Sequence, residues 1–520
     1  MDRFQEGMRD LMVAEAKQVR TLFDPAALVP ALIVFLAHAA LGARYDLFRD
    51  ELYFIVCGQH PAFGYVDQPP AVPLMAAALY KLGLGAWGVR LPAAVAAGLL
   101  VWLAVRFARL LGGSGLAVAL AALSSAIAPM LMGLVATLNT SSFDPLAWTA
   151  IAYLMTKALR ERDDRALVLA GVIAGLALEI KYAMAFWMVG LTIGLLLTPE
   201  RRIVLRPAFW VGVALAAVIA APSFVWQLLH GFPFLELGAA AKGKNVDVPL
   251  LPFLANQAFV MNPLFAPLCI AGLVAPFVVG RLKDLRFVAI AAVVVVIIVR
   301  LGHGKDYYLA PLYPSLFVIG AVALAPLAKG GAGKAIAGIG IAAAIVISAL
   351  ITPLALPVLS PAALAAYMGR IGIAPQQQER SFKGTVLPQV FADQLGWHDF
   401  TAQVEAAWNR VPAALRAETG IKVDNYGEAA ALDIYGKHLP PALTGHNQYF
   451  LWGLRGRNPR NLVVVQDDLD GLTPYCETVT LLGKTWSQYA MAYENGKVIA
   501  LCEGVKPPLI QLWPELKNFS

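Results

Sequence analysis

Apolar runs long enough to cross a bilayer recur along the first 357 residues, and they restrict the chain to folds that lipid tolerates. They fall at 28–43, 89–111, 115–134, 143–159, 165–180, 183–198, 207–229, 262–280, 286–300, 307–327 and 334–356. Backbone in hydrocarbon must bond to itself, so such runs read as helices. A span needs about 20 apolar residues, which gives about eleven crossings, within a range of 10–13. Composition agrees. Hydrophobic residues make up 59% of the chain and charged residues 14%, with mean hydropathy +0.64. A soluble domain carries about 25% charged residues. The fold class is a polytopic α-helical membrane protein.

Cytoplasmic loops collect Lys and Arg. With the N-terminus inside, the inner connections hold Arg106 and Arg109; Lys157, Arg160, Arg162 and Arg165; Arg201, Arg202 and Arg206; Arg281, Lys283 and Arg286; Lys329 and Lys334. The opposite loops then hold Asp50–Asp67, Asn139–Asp144, Lys181–Tyr182, His230–Pro252 and His303–Asp306, with the C-terminal tail on the same side. The net charge of +7 belongs mostly to the inner loops and is no sign of nucleic-acid binding. No cleavable signal peptide is apparent. Residues 1–24 place Phe4, Met8, Leu11, Met12, Val19 and Phe23 at helical spacing among charges, which predicts an amphipathic helix on the inner interface; a disordered leader is the alternative. Residues 25–358 form the transmembrane domain, with its first outer loop at 44–88.

The chain from 359 to 520 has no run of membrane length, and from Gln376 on it is polar. Short β-branched runs at Asn461–Gln466, Thr478–Leu482 and Lys497–Cys502 predict strands, and Phe400–Arg416 and Ala429–Tyr435 predict helices. The expectation is a small soluble α/β domain on the outer side. There Cys476 and Cys502 either form a disulfide or remain two buried thiols. Cys57 and Cys269 have no evident partners.

The first outer loop, RDELYFIVCGQHPAFGYVDQPP at 49–70, carries Asp50, Glu51 and Asp67 with His60, Tyr65 and Gln68. Acids at a bilayer edge are costly to keep without a role. Tyr45–Cys57 and Val72–Leu82 are too short or polar to span and predict two helices along the surface. Asp50 and Glu51 then open a helix, where the dipole favours anions. They are ordinary N-terminal acids, or Asp50 is a general base or a ligand for a phosphate-bound cation. Asp144 follows Asn139-Thr140-Ser141-Ser142 and either sits in a first helical turn or meets Asp50 in one cavity. Asn139-Thr140-Ser141 fits a glycosylation sequon, which matters only in a eukaryotic lumen. Lys181–Tyr182, Arg90, and His303 with Lys305, Tyr307 and Tyr308 put cations and aromatics at outer helix ends. Snorkelling explains that placement, as does a bound lipid phosphate. The Gly330–Lys334 segment lacks a P-loop's first glycine, no zinc or nucleotide motif is visible, and Gly338 and Gly340 predict helix packing.

The segment DELYFIVCGQHPAFGYVDQPP resembles the first outer loop of bacterial glycosyltransferase family 39, the protein-mannosyltransferase-like group of the GT-C superfamily. NTSSFDPLAW at 139–148, EIKYAMAFW at 179–187, HGFPF at 230–234, GKDYYLAPLYP at 304–314, NYGEAAALDIYG at 425–436 and GHNQYFLWG at 445–453 are similar to later motifs of its members, in order. The lipid A aminoarabinose transferases are more distantly similar. The resemblance implies a GT-C fold and an inverting enzyme of the bacterial inner membrane, with its active site and C-terminal domain facing the periplasm. Such enzymes pass a sugar from a polyprenyl phosphate donor to an envelope glycan, lipid or protein. Carried over, Asp50 is the base, Glu51 its catalytic neighbour, and Asp144 the second acidic residue. Lys181 and Lys305 hold the donor phosphate with Tyr307, Tyr308 and Arg90, while His60, Tyr65, Asp67, Gln68 and His303 shape the loop or substrate. No cofactor is expected, although some GT-C enzymes use a divalent cation. A flippase of lipid-linked sugars is the competing reading. Transporters place their polar sites near the bilayer midplane, whereas the clusters here lie at helix ends.

Overall fold

The computed structural model describes residues 24–244, 246, 248–375 and 379–520. The amphipathic helix expected at the N-terminus therefore lies outside the described residues, apart from Asp24. Among the described residues four helices are long and apolar enough to cross a membrane: Gly85–Leu110, Pro207–Leu229, Asp306–Leu327 and Gly330–Ala355. The pair Leu250–Val260 and Pro263–Val278, bent by 98°, makes a fifth if taken as one broken span. Other apolar segments form shorter helices, among them Pro25–Leu41, Gly115–Ile127, Asp164–Leu178, Met184–Leu196 and Arg286–Leu301. The run at 115–134 is divided because Pro129 opens a new helix, Pro129–Leu134; proline lacks the N–H that would continue the preceding one. The expected number of about eleven thus counts apolar segments, not full-length helices.

Lipid does not drive apolar helices together, so they associate through close packing at small residues. A Cβ on Gly171 would lie 2.1 Å from the Gly212 carbonyl oxygen, and one on Gly320 would lie 1.9 Å from that of Leu268. These contacts join Asp164–Leu178 to Pro207–Leu229 and Ala266–Val278 to Tyr313–Leu324. Gly338 and Gly340, expected to pack helices, have open space around them. Their helix instead turns Ile336 and Ile339 outward, 71% and 69% exposed, a face suited to lipid.

The charged connections gather at two ends. At one, Arg109 pairs with Asp24 at 2.6 Å, Lys157 with Asp163 at 2.7 Å and Arg160 with Asp284 at 2.6 Å, while Arg206 bonds to Asp164. The other end carries the first loop and the C-terminal segment. There the sequence expectation fails: the helix Arg49–Gln59 does not lie along a surface. Leu52, Tyr53, Phe54, Ile55, Val56 and Cys57 are all buried, because the helix is apolar around its circumference and such a helix needs cover on every side.

The cover comes from the helix Ala71–Lys81 and the C-terminal helix Tyr426–Tyr435, backed by the C-terminal sheet. Its five strands are β1 Thr419–Lys422, β2 Ala442–Leu443, β3 Asn461–Gln466, β4 Thr478–Lys484 and β5 Val498–Glu503, in the order β2-β1-β3-β5-β4. β1 runs parallel to β2 and β3; β5 is antiparallel to β3 and β4. Side chains alternate across the sheet. Val463, Val465, Ile499 and Leu501 face the core containing Leu52–Val56, Trp397, Phe400 and Ala429–Leu432. Leu462, Val464, Ala500 and Cys502 face Leu509 and Trp513. β1 and β2 are too short to show as β-branched runs. The helix expected over Phe400–Arg416 is Trp397–Trp408, and that over Ala429–Tyr435 starts earlier, at Tyr426. Cys476 and Cys502 form a disulfide, and Cys57 and Cys269 are free thiols.

Candidate active site

One turn of helix sends Arg49, Asp50 and Glu51 into three different environments. Glu51 points inward and is fully buried. Arg90 donates to both its oxygens, Nε to Oε1 at 2.9 Å and Nη2 to Oε2 at 2.7 Å. The amides of Phe48 and Leu138 donate to it at 2.8 and 2.7 Å. The remaining Arg90 nitrogen positions reach the carbonyls of Gly42, Tyr45 and Asp46. Glu51 has both oxygens engaged, and every N–H of Arg90, 3% exposed, is directed at Glu51 or a backbone carbonyl. Together they tie the first loop to the second.

Asp50 differs. Its side chain is 32% exposed, Tyr426 donates to its Oδ1 at 2.8 Å, and Arg49 Nε lies 3.6 Å away. It sits in the first turn of a helix, where unpaired amides favour a negative charge. Arg49 stacks 5.2 Å over the Tyr426 ring, donates to the Tyr493 hydroxyl and approaches Asp393 at 3.9 Å.

The second acidic loop is ordered by Asn139, whose side chain accepts from the Ser141 amide at 2.8 Å and donates to the Leu134 carbonyl at 3.0 Å. Asp144, 3% exposed, pairs with Lys181 at 3.5 Å, and Lys181 also donates to Ser141 Oγ at 2.5 Å. The ammonium group lies 5.1 Å from the ring of Tyr308 and 5.7 Å from that of Tyr307. Lys305 pairs with Glu379 at 2.5 Å. Asp50, Asp144 and Glu379 all lie within electrostatic reach of Tyr307, so the two acidic loops and the lysine-tyrosine segments line one region. His303, two residues before Lys305, is exposed and in left-handed backbone at φ 52°. Among the described residues no group of three or more His, Cys, Asp or Glu side chains is placed to hold a metal ion.

The remaining loop residues shape the turn. Tyr65 is buried and donates to the Cys57 carbonyl at 2.8 Å, while Gln227 donates to the Tyr65 carbonyl at 2.9 Å. The carbonyl of buried Gln68 accepts from the Tyr65 amide at 2.9 Å. The His60 ring packs against Trp452, tilted by 35° with centroids 4.7 Å apart. Asp67 accepts from Tyr53 at 2.9 Å and from Asn447 at 3.3 Å. Although part of its surface stays open, the protein encloses it densely. Burial pushes its carboxyl up to about 7, opposed by the two hydrogen bonds and helped by the Asp50 charge.

A stability effect follows. An unfolded aspartate titrates near about 4, so between about pH 4 and 7 the folded state binds the extra proton and stability falls as pH rises, by at most about 1.4 kcal/mol per unit. Asp67→Asn removes that titration. Melting temperatures measured across this range should fall for the wild type and stay flatter for the variant; parallel curves would contradict the assignment.

The sequence reading missed Tyr426, Tyr493, Asp393, Glu379 and Asn447, all from the C-terminal segment, and also Ser141. Tyr426 and Asn447 lie within motifs already noted at 425–436 and 445–453, so the signal was present but carried no sign of direction.

Three comparisons bear on this geometry. Residues 67–226 match the family described as dolichyl-phosphate-mannose-protein mannosyltransferase. A lipid A galacturonosyltransferase, RgtD, from Rhizobium johnstonii is 42% identical over 86 residues, a stretch covering 16% of this chain and 18% of that relative. Crystal structures of ArnT from Cupriavidus metallidurans, apo and bound to undecaprenyl phosphate, superpose with TM-scores of 0.56 and 0.55 at 14% identity, covering 91% of this chain and 97% of theirs. The mycobacterial arabinofuranosyltransferase AftD gives a TM-score of 0.52 at 15% identity, over 92% of this chain and 41% of that one. Over nine-tenths of its length this chain shares the fold of ArnT, and over residues 67–226 its sequence matches the dolichyl-phosphate-mannose-protein mannosyltransferase family.

Proposed function

We propose that the protein is an inverting glycosyltransferase of the bacterial inner membrane, moving a sugar from a polyprenyl-phosphate donor to an envelope glycan, glycolipid or protein. The observation that carries this reading is the contrast between neighbours: Glu51 is sealed by Arg90, while Asp50 stays partly open and acts electrostatically on Tyr307, which adjoins Lys181. Asp50 takes the proton from an acceptor hydroxyl as its oxygen attacks the anomeric carbon. The polyprenyl phosphate leaves from the opposite face, and Lys181 stabilises the charge gathering on it. Asp144 holds Lys181 in place. Lys305 must exchange Glu379 for the phosphate to take part.

The active site and sheet domain face the periplasm in this reading. The basic end with Arg109, Arg160 and Arg206 suits the cytoplasmic side, and the Cys476–Cys502 disulfide suits an oxidising compartment. The apolar segments then make about eleven passes, several of them short. Domain limits at 25–358 and 359–520 fit this scheme, with the outer loop 44–88 clasped between the two parts. Membrane lipid surrounds the first part, and no nucleic acid is involved.

The relative's name makes lipid A the first acceptor to try and galacturonate the first sugar. Purified protein is incubated with a panel of polyprenyl-phosphate sugars and envelope acceptors, and product is followed by mass spectrometry. One pair should yield product, and Lys181→Met should raise the donor KM by about tenfold or more, as expected on losing a charge-assisted contact. Movement of lipid-linked sugar across liposomes without any transfer would favour a flippase instead.

A further inference from the structure

The C-terminal domain contributes more than cover. At Asn425–Glu428 each side chain of the NYGE turn has a separate structural job. Asn425 accepts from the amides of Gly427 and Glu428 at 2.8 and 3.0 Å, capping the helix Tyr426–Tyr435. Glu428 returns to the Asp424 and Asn425 amides at 2.8 and 3.4 Å, completing a capping box. Fully buried Glu428 is neutralised by Lys497 at 2.6 Å, and Lys497 also reaches Asp424 at 3.1 Å. Asn425 ties Glu494 into the same cluster at 3.0 Å. Gly427 allows close approach, since a Cβ there would sit 2.4 Å from Arg49 Cγ.

The residue that this turn projects is Tyr426. Its ring lies 4.6 Å from Tyr53 and beneath the Arg49 guanidinium, and its hydroxyl donates to Asp50 Oδ1 at 2.8 Å. Among the described residues no hydrogen bond reaches Asp50 Oδ2. Asp50 and Tyr426 come from opposite ends of the chain, 376 positions apart, and are joined by two rigid, capped helix starts.

Building on the reading of Asp50 as the base, we propose that Tyr426 is a positioning residue for the reaction. Its hydroxyl fixes Oδ1, so that Oδ2 is presented to the acceptor hydroxyl. The capping cluster of the C-terminal domain holds Tyr426 at the required height. A base misplaced by about 1 Å loses about 100-fold, and the same group left to rotate about χ1 and χ2 spends less time aligned.

The test uses the full chain in detergent or nanodiscs, with the donor and acceptor that support transfer. Tyr426→Phe should lower kcat about 10- to 100-fold, the range for losing one hydrogen bond to a charged group, with donor KM changed less than about twofold. Gly427→Ala, which displaces the same turn from Arg49, should show the same split and gives a second measurement if Tyr426→Phe is poorly produced. In an Asp50→Glu background, where the longer carboxylate no longer meets the hydroxyl, Tyr426→Phe should cost less than about threefold. An unchanged kcat in Tyr426→Phe, or an equal loss in both backgrounds, overturns the proposal. Asp50→Asn is run alongside: if it transfers sugar as well as wild type, the reading of Asp50 as base fails. If it is inactive while Tyr426→Phe is fully active, only the positioning role fails.

Discussion

Asp50→Asn is expected to lower sugar transfer about a thousand-fold while leaving the protein folded, the loss appearing in kcat with donor KM little changed. The substitution is nearly isosteric, and Asn Oδ1 still accepts the Tyr426 hydroxyl that now meets Asp50 at 2.8 Å. What disappears is the capacity to take a proton. The Asp50 side chain is 32% exposed and Arg49 keeps Asp393 as a counter-charge at 3.9 Å, so a melting temperature within a few degrees of wild type is expected. Product formation at saturating donor, with a melting curve on the same preparation, decides it. Transfer at more than about a tenth of the wild-type rate would remove Asp50 from the base role, since general-base catalysis contributes about 100-fold or more.

The second large effect concerns stability. Arg90→Met leaves Glu51 buried with two amide donors and no cation, and Glu51→Gln leaves the Arg90 guanidinium without its counter-charge. Breaking such a pair from one side costs about 3–5 kcal/mol. The loss should exceed that of Asp50→Asn although the residues adjoin, because Glu51 is sealed and Asp50 is not. Replacing both partners, Glu51→Gln with Arg90→Met, should recover part of it, since no unpaired charge then stays buried. Thermal unfolding of the four proteins in one detergent measures this. If Arg90→Met melts like wild type and instead raises the donor KM, Arg90 belongs with the phosphate after all.

These two substitutions show where sequence reasoning reaches its limit. The chain places Asp50 and Glu51 side by side, and a motif gives them equal standing. Successive helical residues point about 100° apart; one meets Arg90 across the loop, the other Tyr426 from the tail. Lys181 and Lys305 likewise looked equivalent at helix ends, yet Lys181 settles among Asp144, Ser141 and two tyrosine rings, whereas Lys305 meets Glu379. The apolar run within Arg49–Gln59 was legible as a helix but not as a buried one, since part of its cover arrives from the distant C-terminal helix Tyr426–Tyr435.

The sequence by itself determined what depends on local chemistry: a helical membrane part, because uncharged runs leave the backbone no partner but itself; a polar C-terminal domain with β3, β4 and β5; and a set of acids and cations at helix ends. It also sorted the charged loops into two groups, because that follows from alternation along the chain. Tertiary structure decided which acid is open and which is sealed, that Arg90 pairs with Glu51, and that Tyr426 reaches Asp50. Those outcomes rest on contacts between distant segments, where a rotation of one residue about a helix axis separates a buried ion pair from a partly open carboxylate.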